Sequence, residues 1–360
     1  MLGYRVTDML DAGRRGLVLT DTWVTECPHF HQPQFRGQAP DGGPWGYVSG
    51  MLRRGLPCLL LIACDGAGVT VDGDGDAGAR PVTEWAGSVV DGGFGSRLAA
   101  GADTVYASAP FAARVYRLDD AGPVEVSAGT TGSFFGAGLA MQHGVLLVGE
   151  PVPGRVWADG KVVAEEAGLG GVVAARQRGW VASTATGWLA ADGTRGALGR
   201  RPDALVDDQG VIVAGAAFGE FSIWRADVPG MRLAPGDEAG FALVRCDVDG
   251  DGVWEVVVGA PGRGVLLVGE AAYGTGTGRF GAALACGTSP GVLYVGAPSE
   301  GTLHAGAVFR LARLGEPELL RAGDPLDELG TALAVSEGRV YIGAPGPAAG
   351  AGRVVALPER

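Results

Sequence analysis

The chain has 360 residues, a formal charge of −12, 65 glycines, 21 prolines and 19% charged side chains. Glycine far above its usual share of roughly 7%, with no G-X-Y period, excludes collagen. A 47% hydrophobic content excludes wholesale disorder. The acidic balance, with no local basic patch, argues against a nucleic-acid partner. Few aromatics among many Ala and Gly point to closely packed strands.

Residues 1–50 show no sustained helix or strand period and end in Pro/Gly-rich coil, so they read as an irregular tail. Glu26, Cys27, His29 and His31 lie there with no fold to gather them around a metal. From Met51 the pattern changes: Arg53 and Arg54 precede a short apolar run over residues 56–62, then Ala63 and Cys64. That run is too short to cross a bilayer. The segment Leu61-Ile62-Ala63-Cys64 resembles the lipobox of bacterial lipoprotein signals. The resemblance implies that residues 51–63 are a signal peptide cleaved before Cys64, whose thiol then carries diacylglycerol. A signal must lie near a nascent N-terminus, so Met51 is the expected start and residues 1–50 a start codon assigned too early. The implied location is the bacterial cell envelope, lipid-anchored or secreted, with membrane contact through the lipid on Cys64 only. Residues 64–81 alternate Gly and Asp, including Asp72, Asp74 and Asp76, and read as a flexible tether.

From Val82 onward the chain repeats itself about every 40 residues. Each pass offers an aromatic or Leu followed by Gly, then Leu-Ala or its equivalent, a turn, a β-branched run and a Gly-Ala-Pro-like triplet. The first reads Phe94-Gly95, Leu98-Ala99, Val105-Tyr106, Ser108-Ala109-Pro110. The second, sixth and seventh are centred on Phe135-Gly136, Phe280-Gly281 and Leu329-Gly330; the fifth keeps Gly240 and Gly259-Ala260-Pro261. The third, with Leu169-Gly170, is weaker, and the fourth has lost its Phe-Gly but keeps Leu205-Val206 and Gly215-Ala216-Ala217. A third strand follows each triplet, and a fourth precedes the next Phe-Gly. Glu84-Trp85-Ala86 fills a fourth-strand slot with nothing before it, while the C-terminus stops after a third strand. The expectation is all-β: a seven-bladed β-propeller of four-stranded blades over residues 82–360, its last blade closed by the N-terminal strand.

This pattern resembles the FG-GAP repeats of the integrin α-subunit N-terminal propeller, over residues 82–357. In the fifth pass, Asp247, Asp249, Asp251, Val253 (through its carbonyl) and Glu255 have the spacing of a calcium hairpin. The resemblance assigns those five the ligand roles, with Glu255 where the family usually has Asp. It also implies partner binding on the face of the strand two-to-three loops and the loops before strand one. Here those carry Phe111, Phe134, Tyr273, Arg279, Ser299, Glu300 and His304. The link after Trp157 is too short for the extra domain that integrins insert, and no leg or spanning segment follows Leu357, so full integrin behaviour is not implied.

Two motif-like segments are discounted. Gly276-Thr277-Gly278-Arg279-Phe280-Gly281 fits a dinucleotide loop and Gly287-Thr288-Ser289-Pro290-Gly291 a nucleophile elbow, but each leads into a strand rather than a helix. Six tryptophans, Trp85, Trp157, Trp180, Trp188, Trp224 and Trp254, read as blade filler. Among the five cysteines, the register places Cys246 and Cys286 on opposite strand faces, which argues against a disulfide. The expected protein is thus a monomeric calcium-binding module for a protein or glycan ligand, not an enzyme. The competing readings are a propeller enzyme acting on extracellular glycans and a purely structural surface protein.

Overall fold

The computed structural model describes residues 82–89, 92–218, 222–226, 228–230, 234–346 and 351–359. The tail, signal, Cys64 and tether anticipated above lie outside these residues.

Short β-branched runs broken by glycine turns pair with their sequence neighbours, and the result is seven antiparallel four-stranded sheets. Blade 1 spans residues 97–128, blade 2 138–165, blade 3 173–197, blade 4 204–229, blade 5 242–274 and blade 6 283–322. Blade 7 takes three strands from residues 332–358 and its fourth from Thr83–Ala86. The inner strands touch one another in sequence around a closed circuit, with that of blade 1 against that of blade 7. The molecule is therefore a seven-bladed all-β propeller, in the seven passes and the phase that the repeats predict.

Closure rests on specific contacts. Thr83–Ala86 pairs antiparallel with Arg353–Pro358, Trp85 lying opposite Val354. The Trp85 ring is buried, stacks on Tyr341 at 5.9 Å between centroids, and donates its indole N–H to Asp119 O of blade 1 at 2.7 Å. Arg353 adds ion pairs to Glu84 at 2.9 Å, to Asp324 at 2.9 Å and to Asp327. One strand far from its partners in sequence thus holds both blade 7 and the seam to blade 1.

The recurring glycines are explained by the seams. In blade 7 the amide of Gly330 donates to Gly343 O at 3.0 Å, and blades 1, 2, 3, 5 and 6 repeat this bond at the equivalent positions. The Cα of Gly343 in turn faces the carbonyl of Gly95 in blade 1 so closely that a side chain there would collide with it. The pairs Gly149 and Gly170, Gly215 and Gly240, Gly259 and Gly281, and Gly296 and Gly330 meet in the same way. Backbone thus touches backbone between blades. Blade 4 departs at this point: by register Pro202 fills the glycine slot and has no N–H to give, so the amide of the next residue, Asp203, donates to Gly215 O at 2.8 Å. The facing residue in blade 3 is Ser183, a serine as in blade 1, where Ser108 faces Gly136. Passes three and four look weak because the seam between them is built differently, yet both form regular four-stranded blades.

Between the sheets lie layered apolar clusters, each shared by adjacent blades. One joins Leu147, Val156 and Leu169 to Trp180 and Leu189; another joins Val257, Leu266 and Phe280 to Leu293 and Val295. Trp85, Trp180 and Trp188 are buried and Trp157 and Trp224 half-buried, as filler should be. Trp254 is the exception, more than half exposed with the Arg245 guanidinium 5.1 Å over its ring.

Candidate functional site

Every inner strand runs in the same sense, so the propeller has an entry face, where inner strands begin, and a hairpin face, where they turn into the second strand. The candidate metal ligands lie on the hairpin face of blade 5, between Ala242–Cys246 and Glu255–Ala260. Asp247, Asp249 and Glu255 bring carboxylate oxygens within 4.8 Å of one another. Each also accepts loop amides: Asp247 from Gly250 at 2.7 Å and Gly252 at 3.1 Å, Asp249 from Asp251 at 3.1 Å, Glu255 from Val248 at 3.1 Å. Asp251 stands outside the cluster and accepts the Val253 amide at 2.7 Å. Three converging carboxylates on one tight loop are a donor set suited to a hard cation, which would relieve their mutual repulsion.

The neighbouring cysteines require a correction. Cys246 and Cys286 form a disulfide with Cα atoms 5.7 Å apart. The parity reading is right, since Cys246 is four residues past Ala242 and Cys286 three past the equivalent Ala283. The inference drawn from it is wrong. Adjacent blades stack face to face, so a side chain on one face of blade 5 meets one on the opposite face of blade 6. Opposite parity is what a bond across a seam needs. The disulfide lies immediately before Asp247, and the Asp247 carbonyl accepts the Gly291 amide of blade 6 at 2.8 Å. The hairpin is tied to the next blade twice.

The anticipated partner loops lie at the entry face. Phe111 and Phe134, from blades 1 and 2, meet edge to face at 6.0 Å and are 62% and 40% exposed. Arg279 pairs with Glu238 at 2.7 Å and lies 5.2 Å over the Phe241 ring. Glu300 accepts the Thr277 hydroxyl at 2.9 Å, and the Ser299 amide donates to Gly278 O at 3.0 Å. Tyr273 differs: it lies in the outermost strand of blade 5, Ala271–Gly274, and packs against the core shared with blade 6. Ser289 and residues 276–281 occupy the turn and loop beside the inner strand Ala283–Cys286, as anticipated.

Arg279, Ser299 and His304 also border the mouth of the axial channel, a cavity of about 570 Å³. One equivalent position in every inner strand lines it with an aliphatic side chain: Leu98, Leu139, Val173, Leu205, Leu243, Leu284 and Leu333. The residue before each of these is Gly, Ala or Val in six blades, and Arg97 in blade 1. The Arg97 guanidinium donates to Ala137 O at 3.2 Å and Ser96 O at 2.9 Å, and forms no ion pair among the described residues. Arg97 is exposed to the mouth, and the protein crowded around its guanidinium lowers its pKa. Across the mouth, burial raises the pKa of Asp203 against the opposing hydrogen bond from the Ala217 amide at 2.9 Å. Sequence reading missed Arg97. The signal was present, since one position in the repeat is small or aliphatic six times and cationic once.

No family model and no curated protein matches the chain. Solved structures do. Virginiamycin B lyase from Staphylococcus aureus aligns with a TM-score of 0.52 at 12% identity, covering 78% of this chain and 99% of its own. The designed Ika8 protein gives 0.49 at 18% identity, covering 76% and 98%, and a streptogramin B lyase 0.40 at 13%, covering 78% and 88%. At these identities the likeness is one of fold. It nevertheless corrects the expectation that the chain is not an enzyme. That expectation followed from discounting two motif-like segments in a propeller, and virginiamycin B lyase has this same architecture. Propeller architecture therefore gives no ground for the exclusion.

Proposed function

We propose that the chain is a calcium-binding propeller of the FG-GAP, integrin α-like type, exported to the bacterial cell envelope and tethered through a lipid on Cys64 or secreted. It acts as a monomeric interaction or adhesion module, taking a protein or glycan ligand at the entry face. The observation that carries the reading is the apolar character of that face. Phe111 and Phe134 lie in contact with each other and in water, and Val152, Phe218 and Leu303, on loops of blades 2, 4 and 6, are each more than half exposed. Large apolar side chains gathered on one face of a folded domain mark a docking surface. The clustered carboxylates of Asp247, Asp249 and Glu255 support calcium as the cation, with Asp251 and the Val253 carbonyl completing the set once the loop closes around it. The Cys246–Cys286 disulfide supports an oxidising compartment outside the cytoplasm.

The test is a screen of the whole chain, with calcium, on glycan and protein arrays, followed by mass analysis of any captured ligand. Saturable binding that falls at least tenfold in a Phe111→Ser/Phe134→Ser variant is the expected result. Conversion of the ligand would place the protein among propeller enzymes instead, and the absence of any saturable ligand would leave a structural role.

A further inference from the structure

The channel mouth combines two features that the outer loops do not explain. One is a seven-membered aliphatic ring, from Leu98 in blade 1 to Leu333 in blade 7, around a cavity of about 570 Å³. That volume falls within the range of small-molecule sites, roughly 300–1,000 Å³. The other is Arg97, held in place by the Ala137 and Ser96 carbonyls with no carboxylate paired to it among the described residues. Arg279, the other arginine of the rim, is already neutralised by Glu238 and stacked on Phe241. An exposed guanidinium with no counter-charge at the mouth of an apolar cavity is a ready partner for an incoming anion.

We propose that the channel mouth binds an amphiphilic monocarboxylate, its carboxylate paired with the Arg97 guanidinium and its apolar body inside the aliphatic ring. Asp203 and Glu328 border the same mouth. They add negative charge to the rim of the mouth, so the site discriminates against polyanions and favours a single carboxylate directed at Arg97. The ring supplies affinity through buried apolar area, and the guanidinium supplies orientation through a two-pronged contact. Both features lie in the channel itself, so the inference is independent of calcium and of whatever the outer loops bind.

Titration calorimetry of the whole chain with octanoate, octanol and inorganic phosphate tests this. Octanoate is expected to bind saturably at one site, octanol at least tenfold more weakly, and phosphate not measurably. An Arg97→Met variant, whose replacement side chain keeps the apolar stem, is expected to bring octanoate down to the level of octanol with an unchanged melting temperature. Equal affinity for octanoate and octanol in the unmodified protein would overturn the proposal without recourse to any variant. So would phosphate binding as tightly as octanoate, the absence of saturable octanoate binding, or a folded Arg97→Met protein that binds octanoate undiminished.

Discussion

Substitution of Gly343 by Ala isolates the contact that sets the spacing of the blades. Gly343 has no positive φ, so Ala suffers no backbone strain and the effect is steric alone. The added methyl would lie 3.0 Å from the Gly95 carbonyl carbon and closer still to its oxygen. Neither side can retreat cheaply. Gly343 is paired with Ala332 on one side and Val354 on the other, and the Gly95 amide is bonded to Ser108 O at 3.0 Å. The seam between blades 7 and 1 must therefore open. Overpacking of this kind costs about 2–3 kcal/mol, and more where backbone is the obstacle. At roughly 2–4 °C per kcal/mol for a domain of this size, the melting temperature should fall by roughly 4–12 °C. Gly236, where a methyl would meet nothing within 4 Å, is the control, and its Ala variant should melt within about 1 °C of the parent or slightly above it. Scanning calorimetry decides the matter. If Gly343→Ala melts with the parent, direct backbone contact is not what brings the blades together, and the account of the repeated glycines fails.

Two further expectations concern blade 5. Calcium at a hundredfold excess over its dissociation constant should stabilise the protein by about 2.7 kcal/mol, provided that the unfolded chain does not bind it. The affinity should lie near the 10⁻⁴–10⁻³ M of extracellular modules, and Asp247→Asn should abolish the effect; a melting temperature indifferent to calcium and chelator would refute the site. Replacing Cys246 and Cys286 together by Ser releases a 40-residue loop. Loop-closure entropy sets the cost at no more than about 4 kcal/mol. Mass analysis after alkylation without reductant should find neither thiol modified in the parent, and a parent protein alkylated at both would refute the bond.

How far the sequence could be read depended on whether a property repeats. Blade number, strand number and the role of residues 83–86 are each written several times, or written as a gap that a single strand must fill. The Phe-Gly and Gly-Ala-Pro signals were recognised as periodic, but the reason for their pairing was not. It lies in a contact between one blade's triplet and the next blade's Phe-Gly, from 21 residues apart for Gly149 and Gly170 to opposite ends of the propeller for Gly343 and Gly95, which no local turn rule contains. The disulfide was misjudged for a related cause: strand parity was judged within one sheet, although the bond crosses between two. The hairpin was legible because its ligands are local, and three of the five anticipated groups converge. Tyr273 was taken for loop because the fourth strand of blade 5 is only four residues long and bordered by glycines.

The positions where the repeat fails are more informative about chemistry than those where it holds. A position that is Gly, Ala or Val in six blades is under a packing constraint common to all of them, and its residue says nothing about ligand. Arg97 violates that constraint in one blade, where seven strands converge on the axial cavity. Asp203 is out of pattern in the same way, since its register position is Ser96, Ala137, Gly171, Phe241, Ala282 or Thr331 in the other six blades, none of them charged. Both bring charge to the channel mouth, which the fold does not need, since six other blades close without it. The hairpin of residues 247–255 is a third departure, longer and more acidic than its equivalents in the other blades. A symmetric architecture with three asymmetric charged insertions, two at the channel mouth and one on the opposite face, separates the residues that make the ring from those that equip it to bind.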